Sequence, residues 1–221
     1  MKRLLVLASV LAVAVPLAAA SVGGKVNFIM KRGQTPVINE TVVWLEPASG
    51  KAAPRPPAKF QMTTRGKTLL PHVLAVPIGS TVEFPNDDPI SHNLFSLSSN
   101  NTFDLGLYRR GSGKSHKFDI PGVVNVYCNV HPNMSAVIQV MATPYYTFAD
   151  AAGNYALVDI PPGKYRLVAW NEQGGQTSSN VEVSAAGTAS GPLALTLDSR
   201  NYRITQHMDK TGKPYQAPKE Y

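Results

Sequence analysis

The chain has 221 residues, of which 43% are hydrophobic, enough for one large or two small packed cores. Its formal net charge is +7, but the basic residues form no cluster interleaved with aromatic residues, which argues against nucleic acid as a partner. A single cysteine, Cys128, excludes a framework of intrachain disulfides.

The first twenty residues have the features of a cleaved secretory signal. Lys2 and Arg3 precede an uncharged apolar stretch that ends at Leu17, and three alanines form an A-x-A cleavage site before Ser21. The apolar stretch is too short for a comfortable membrane span, and no later stretch is long enough. We therefore expect a periplasmic or otherwise exported protein that is soluble after cleavage of residues 1–20 and has no membrane span. The mature chain would keep 19 basic and 14 acidic residues, a net charge of +5.

The remainder of the chain has the pattern of β-structure. Short runs rich in Val, Ile, Tyr and Phe are separated by Gly, Pro, Asn and Asp at intervals of roughly ten residues, as in β-sandwiches. No convincing amphipathic helix is present. The pattern predicts fourteen short strands, among them His116–Ile120 and Asn180–Ser184. Because this is too many for one simple sandwich, we predict an all-β fold with two sandwiches.

Two junctions divide the chain into segments, one in a proline-rich connector before residue 58 and one near residue 143. Residues 58–142 are long enough for a complete small sandwich. The flanking segments 21–50 and 143–198 are each too short to bury a core, but together they have the size of a sandwich. We therefore predict that the central domain is inserted into a second sandwich; alternatively, residues 21–50 add strands to the central domain. The polar tail, 199–221, is expected to be an extended strap or disordered.

Three potential metal ligands lie close together in the central domain. Cys128, His131 and Met134 follow one another at C-x₂-H-x₂-M spacing, so one short loop can turn all three toward an ion, and His92 supplies a second imidazole. Two histidines and a cysteine with a weak axial methionine are the ligands of a blue-copper electron-transfer site. Zinc could use the cysteine and the histidines with a water. It gains little from a thioether, so copper is the stronger prediction.

Simpler interpretations of these residues remain open. A lone cysteine in an exported protein can be a buried inert thiol or form an intermolecular disulfide, although neither explains the ligand spacing. The other histidines, His72, His116 and His207, are more readily explained as structural or solvated residues than as ligands.

Residues 72–141 resemble a cupredoxin, most of all the amicyanin and plastocyanin types. The matching motifs are Val82-Glu83-Phe84-Pro85-Asn86-Asp87-Asp88, Ser91-His92-Asn93 and Tyr127-Cys128-Asn129-Val130-His131-Pro132-Asn133-Met134. The resemblance implies a Greek-key sandwich that binds one copper ion through His92, Cys128, His131 and Met134. It further implies that Asn93 ties the ligand loop and tunes the sulfur by hydrogen bonding, and that His131 with Pro132 forms the electron port.

A second resemblance covers part of the flanking segments. Residues 152–167, which contain a Gly-Asn-Tyr turn and a Pro-Pro-Gly turn, are similar to a carboxypeptidase regulatory-like domain, a transthyretin-like sandwich. Residues 23–30 and 41–47 are similar to the opening strands of that family. The resemblance implies a scaffold or adhesion role and no catalytic residues.

Together these features predict an exported mononuclear type 1 copper protein that transfers single electrons between redox partners, such as a cytochrome or a dehydrogenase. We expect no enzymatic activity from the chain itself, since no catalytic constellation can be identified from spacing. Two alternatives are a copper carrier or buffer and a structural or binding β-sandwich protein with an accessory copper site.

Overall fold

The computed structural model describes residues 20–99 and 101–215, and the regular secondary structure in this part of the chain is almost entirely β-strand. Apart from a 3-10 turn at Ile38–Glu40, the elements are β1 Ala20–Ile29, β2 Val42–Pro47, β3 Lys59–Gln61, β4 Thr63–Arg65, β5 Thr68–Leu70, β6 Val73–Pro77, β7 Ser80–Asn86, β8 Leu94–Ser96, β9 Phe103–Asp104, β10 Gly111–Phe118, β11 Gly122–Cys128, β12 Ser135–Met141, β13 Tyr146–Phe148, β14 Asn154–Ile160, β15 Gly163–Asn171, β16 Gly175–Val183, β17 Ala189–Ser190 and β18 Ala194–Asp198.

The predicted signal, residues 1–20, lies outside the described residues except for Ala20, which is buried and begins β1. In the described ranges no helix has the length and apolar character needed to cross a membrane.

The strands form four sheets, which we name A to D. Sheet A has the order β14-β1-β18 and sheet B the order β13-β2-β15-β16-β17. Sheet C has the order β10-β7-β4-β5, with β3 also paired to β7, and sheet D the order β6-β12-β11-β8-β9. Strands β1 and β2 thus pair with strands that follow residue 143, whereas β3 to β12 pair among themselves. The chain leaves sheet B after β2, builds sheets C and D, and returns at β13.

Three hydrophobic cores connect these sheets into a stack with the order A, B, D, C. One core lies between sheets A and B, a second between sheets C and D, and a third between sheets B and D. In β2, Val43 and Leu45 pack into the first core, while Val42 and Trp44 pack into the third. This division follows from the alternation of side chains along a strand. Because both faces of β2 are covered, the strand contains a continuous apolar run.

Polar contacts also join the two sandwiches. Nε2 of His72 lies 2.6 Å from a carboxylate oxygen of Glu172, so this histidine has a structural partner. Arg55, in the proline-rich connector, donates hydrogen bonds to the backbone oxygens of Pro144 and Tyr146, and its guanidinium stacks 3.9 Å above the Tyr146 ring. The connector is therefore fixed against the strand to which the chain returns.

Two strands begin earlier than the sequence pattern predicts. Strand β10 starts at Gly111, five residues before the predicted start at His116, and β16 starts at Gly175 rather than at Asn180. The added residues are mostly polar and exposed. They are held by backbone pairing with β7 and β15, which apolar alternation does not reveal.

Candidate metal centre

Two pairs of backbone contacts bring the predicted ligands to one end of the C/D sandwich. Strand β11 ends at Cys128 and pairs with β8, placing Cys128 opposite Leu94. His92 precedes β8 and forms a two-residue bridge with Tyr108, whose N–H and C=O both bond to the backbone of His92 at 2.9 and 3.0 Å. Because alternate residues of β11 face the core, the Cys128 side chain points inward. The Cys128 thiol and the His92 ring are therefore in contact, next to the loop 129–134.

Three donor atoms converge at this end. Sγ of Cys128 lies 3.6 Å from Nδ1 of His92 and 3.6 Å from Nδ1 of His131. The donor atoms of all three residues lie within 4.8 Å of one another. Within the described ranges, no other group of three or more His, Cys, Asp or Glu side chains meets that distance criterion. His92 and Cys128 are fully buried, and His131 is half-buried.

The spacing of these atoms fits a single metal ion. With metal–nitrogen bonds of about 2.0 Å and metal–sulfur bonds of about 2.3 Å, an N–metal–S angle between tetrahedral and trigonal gives an N···S separation of roughly 3.5–3.8 Å. The two observed separations of 3.6 Å fall in that range. One thiolate and two imidazoles suit copper or zinc, so the fourth donor decides between them.

Met134 is the predicted fourth donor, and it is buried against the same core as Cys128. The N–H of Met134 donates to the His131 oxygen at 3.0 Å, and the N–H of Cys128 donates to the Met134 oxygen at 3.1 Å. These two bonds close the loop into a compact turn that holds Met134 beside the cysteine. A thioether buried in the core that Cys128 shares would suit copper better than zinc, which prefers harder donors at its fourth position.

Asp88 contacts a predicted ligand, and the sequence interpretation did not identify this contact. Its Oδ2 lies 2.9 Å from Nε2 of His92, leaving Nδ1 of the ring free to face Cys128. The backbone N–H groups of Gly66 and Lys67 donate to the same carboxylate at 2.6 and 2.9 Å. Burial favours a higher pKa for Asp88, but these N–H groups and His92 together hold the pKa below its usual value. A carboxylate behind a ligating histidine is a common supporting arrangement, and the Asp-x-x-x-His spacing was its only sequence signal.

Asn93 ties the two ligand segments together through its backbone. Its oxygen accepts the N–H of Asn129 at 2.8 Å, and its side-chain Nδ2 donates to Asp104 at 2.5 Å. The described residues include no hydrogen bond from the Asn93 amide to the Cys128 sulfur, so the proposed tuning of the sulfur stays a prediction.

His131 lies where the loop reaches the surface. His131 and Pro132 are half-buried, and the neighbouring Val130 is 46% exposed. Burial lowers the pKa of His131, and nearby Lys67 lowers it further, against the opposing charge of Asp88. The neutral ring that a metal requires is thereby favoured. The predicted port residues, His131 and Pro132, thus lie at the surface edge of the donor cluster.

The remaining histidines lie outside the cluster. His116 stacks on Phe103 with ring centroids 4.5 Å apart, and His207 stacks on Tyr127 at 4.4 Å. His207 belongs to residues 207–215, which we call the strap. Within the strap, Tyr215 donates through its hydroxyl to the Cys128 oxygen at 2.9 Å. The sequence allowed a strap in this tail but gave no indication of what it contacts, since the two residues are separated by 87 positions.

Comparison with solved structures finds cupredoxins. A purple cupredoxin from Nitrosopumilus maritimus is 28% identical, with 37% of this chain and 99% of that chain covered and a TM-score of 0.34. An oxidised amicyanin variant is 17% identical, with 44% and 99% covered and a TM-score of 0.36. A pseudoazurin from Sinorhizobium is 18% identical, with 39% and 76% covered and a TM-score of 0.34.

Comparison with protein families gives one partial match. A model described as polysaccharide lyase family 4, domain II, matches residues 120–191, which run from β11 in the C/D sandwich to β17 in the A/B sandwich. No curated protein matches the chain. The resemblance of the flanking segments to a carboxypeptidase regulatory-like domain stays a prediction. All three TM-scores are below 0.5, and the convergence of the His92, Cys128 and His131 donor atoms by itself indicates that these residues could hold a metal ion.

Proposed function

We propose that this chain is an exported, mononuclear type 1 copper protein that carries single electrons between redox partners. The observation that carries the proposal is the triangle formed by Sγ of Cys128 and Nδ1 of His92 and His131, with Met134 buried in the same core as Cys128. This donor set combines a thiolate, two imidazoles and a thioether, the combination used by blue-copper electron-transfer sites.

Copper, when bound, supplies a one-electron couple. The chain supplies a ligand set that is already assembled: His92 is held by Asp88 and by its backbone bridge to Tyr108, and the cysteine is held by β11. Ligands fixed in this way need little rearrangement when the charge of the site changes, which favours rapid electron transfer. Burial of Cys128 and His92 also keeps water from the donor atoms.

The partners proposed are redox proteins such as a cytochrome or a dehydrogenase, which would approach at His131 and Pro132. Both residues are half-buried, and Val130 next to them adds exposed apolar surface. A small surface of this kind suits the weak, short-lived encounters of electron-transfer proteins. Export through cleavage of residues 1–20 is part of the same proposal. Mass spectrometry of the mature protein from the periplasmic fraction would test it.

A copper carrier is the main competing function, and repeated redox cycling distinguishes it. The copper-loaded protein is reduced with ascorbate and reoxidised with ferricytochrome c while a Cu(I) chelator is present. We expect one electron per protein in every cycle, with the copper retained, because the thiolate and His92 are fully buried. Transfer of the metal to the chelator at the first reduction would identify a carrier instead.

Two variants serve as controls for this experiment. His116→Asn alters a histidine that stacks on Phe103 outside the cluster, so its cycling should match that of the parent protein. His92→Asn removes one corner of the donor triangle, and it should lose copper in the first cycle.

A further inference from the structure

The strap, residues 207–215, is folded on itself by an aspartate-centred turn. Oδ1 of Asp209 accepts the N–H groups of Thr211 and Lys213 at 2.8 and 3.0 Å, and the N–H of Asp209 donates to the Lys213 oxygen at 2.8 Å. Gly212 occupies the turn at φ +77, a conformation that glycine adopts without steric cost. The strap is therefore a defined local structure and can act as one unit.

The strap touches two successive residues at the start of the ligand loop. The Tyr215 hydroxyl donates to the Cys128 oxygen at 2.9 Å, and the N–H of Lys210 donates to Oδ1 of Asn129 at 2.9 Å. The backbone of Cys128 is therefore held by the strap as well as by the pairing of β11 with its neighbouring strands.

A closed ring of hydrogen bonds also connects the strap to the segment that contains His92. Nζ of Lys210 lies 2.7 Å from Oδ2 of Asp104, and the other oxygen of Asp104 accepts the amide of Asn93 at 2.5 Å. The backbone oxygen of Asn93 accepts the N–H of Asn129, whose side chain in turn accepts the N–H of Lys210. The ring of hydrogen bonds therefore links the residue after His92, the residue after Cys128 and the strap.

An aromatic contact anchors the other end of the strap. The His207 ring stacks on Tyr127 at 4.4 Å and 20°, and it meets the edges of Phe95 and Tyr215 at 6.1 and 5.4 Å. Tyr127 and Phe95 lie opposite each other on β11 and β8, the two strands that carry the ligand segments. Stacking of this kind adds to the apolar area that the strap covers.

We propose that the strap is a positioning element of the metal centre, in which Tyr215 and Lys210 hold the loop 129–134 in its ligating conformation before metal binds. The proposal deepens the proposed function and rests on it. A loop that is already ordered has less conformational entropy to lose on binding, so the metal is bound more tightly and leaves more slowly. Tyr215 and Lys210 act through Cys128, Asn129 and Asn93, and neither is a ligand.

The single cysteine makes the proposal testable without metal. In the metal-free full chain, the rate at which Cys128 reacts with an alkylating reagent reports opening of the loop. Tyr215→Phe removes one hydroxyl and keeps the ring, and we expect alkylation about fivefold faster. Deletion of residues 205–221 removes every strap contact and should accelerate it by more than tenfold. Tyr202→Phe is the matched control, since that half-buried tyrosine precedes the strap and should leave the rate unchanged.

Further measurements separate positioning from a general effect on stability or on thiol acidity. Amide hydrogen exchange at Cys128 and Asn129 should rise in parallel with alkylation in Tyr215→Phe, while the midpoint of guanidinium unfolding falls no further than the loss of one hydrogen bond accounts for. In the copper-loaded protein, Lys210→Met should release metal to a chelator severalfold faster, and Lys210→Arg should restore the slow rate because it keeps the charge near Asp104.

The outcomes distinguish this proposal from the proposed function. Unchanged alkylation and exchange in both Tyr215→Phe and the truncated chain, with the fold intact, would overturn the role of the strap even if copper binds. Faster alkylation in the strap variants of a protein that binds no copper would support the positioning role and contradict the copper function.

Discussion

At the scale of single residues, the site depends on groups that fix each ligand as much as on the ligands themselves. Asp88 is the clearest case, because its buried carboxylate accepts two backbone N–H groups and faces Nε2 of His92. The carboxylate sets which ring nitrogen is free and adds negative charge behind it. Supporting groups of this kind commonly change metal affinity by one to two orders of magnitude.

Asp88→Asn should therefore weaken copper binding by roughly 10–100-fold while leaving the fold intact. The amide keeps the shape of the side chain but removes the charge that supports His92. Affinity is measured by competition with a chelator of known strength. Asp87→Asn is the matched control, since the Asp87 carboxylate pairs with Arg65 at the surface, whereas that of Asp88 bonds to His92. Equal affinities in the two variants would argue against this role of Asp88.

Met134→Leu should raise the reduction potential of the copper site. Leucine fills nearly the same volume, so the change costs less than about 1.5 kcal/mol in folding free energy. In the proposed copper centre Met134 would donate axially to oxidised copper, so its removal would favour the reduced state and raise the potential. The potential is read from a spectroscopic redox titration. Met62→Leu, in the same core but far from the loop in sequence, should leave the potential unchanged.

At the scale of elements, β2 explains how the two sandwiches are coupled. Its side chains enter two cores in alternation, Val43 and Leu45 on one face and Val42 and Trp44 on the other. Strand β12 does the same, with Ile138 in the core of the C/D sandwich and other side chains in the core between sheets B and D. A strand covered on both faces carries more of the packing energy than one with a solvent face.

Leu45→Ala should lower the free energy of unfolding by about 2–5 kcal/mol, since the side chain is fully buried in the A/B core. Val158→Ala in β14 is the comparison, because Val158 is 64% exposed and the change should stay within about 0.5 kcal/mol. Guanidinium unfolding curves of both variants give the two values. A small effect of Leu45→Ala would mean that β2 is not part of a packed core.

The sequence predicted the features that depend on local spacing. The C-x₂-H-x₂-M loop and the β pattern could be recognised because ligand geometry and side-chain alternation are written in adjacent residues. The start of β10 could not be recognised, because its polar residues are held by pairing with β7 and not by burial. The contacts of the strap and the part played by Asp88 depend on distant segments, which a single sequence does not bring together.

At the scale of the whole molecule, sheets A, B, D and C form one stack, and polar contacts fix its halves to each other. The ion pair between His72 and Glu172 is one of them. Its hydrogen bond to Glu172 raises the pKa of His72 above the usual 6.5, against the effect of burial. A raised pKa means that the protonated form is favoured in the folded state. The stabilisation is complete below pH 6.5 and is lost as the pH rises through the raised value.

The stability advantage of the parent protein over His72→Gln should therefore be larger at pH 6 than at pH 8.5. The pKa of nearby Glu40 is also raised, above all by burial, so Glu40→Gln is made in both proteins to remove its contribution from the comparison. Unfolding midpoints at the two pH values measure the difference. If the stability advantage of the parent protein grows toward pH 8.5, the ion pair between His72 and Glu172 does not stabilise the fold as described.

The insertion of residues 58–142 into the sandwich of the flanks can be tested by excision. A chain in which a short linker replaces this segment should keep residues 21–50 associated with residues 143–198, because β1 and β2 pair with strands β13 to β15 and β18. Limited proteolysis followed by size-exclusion chromatography reports the association. Fragments that separate would show that the flanks do not form a domain of their own.

The central claim is that Cys128, His92 and His131 bind one copper ion through a thiolate. Its most direct test is the visible and electron paramagnetic resonance spectrum of the mature protein loaded with Cu(II). We predict an intense visible band from thiolate-to-copper charge transfer and a narrow copper hyperfine splitting, both lost in Cys128→Ser. A colourless protein, or one that binds only zinc or Cu(I), would contradict the claim.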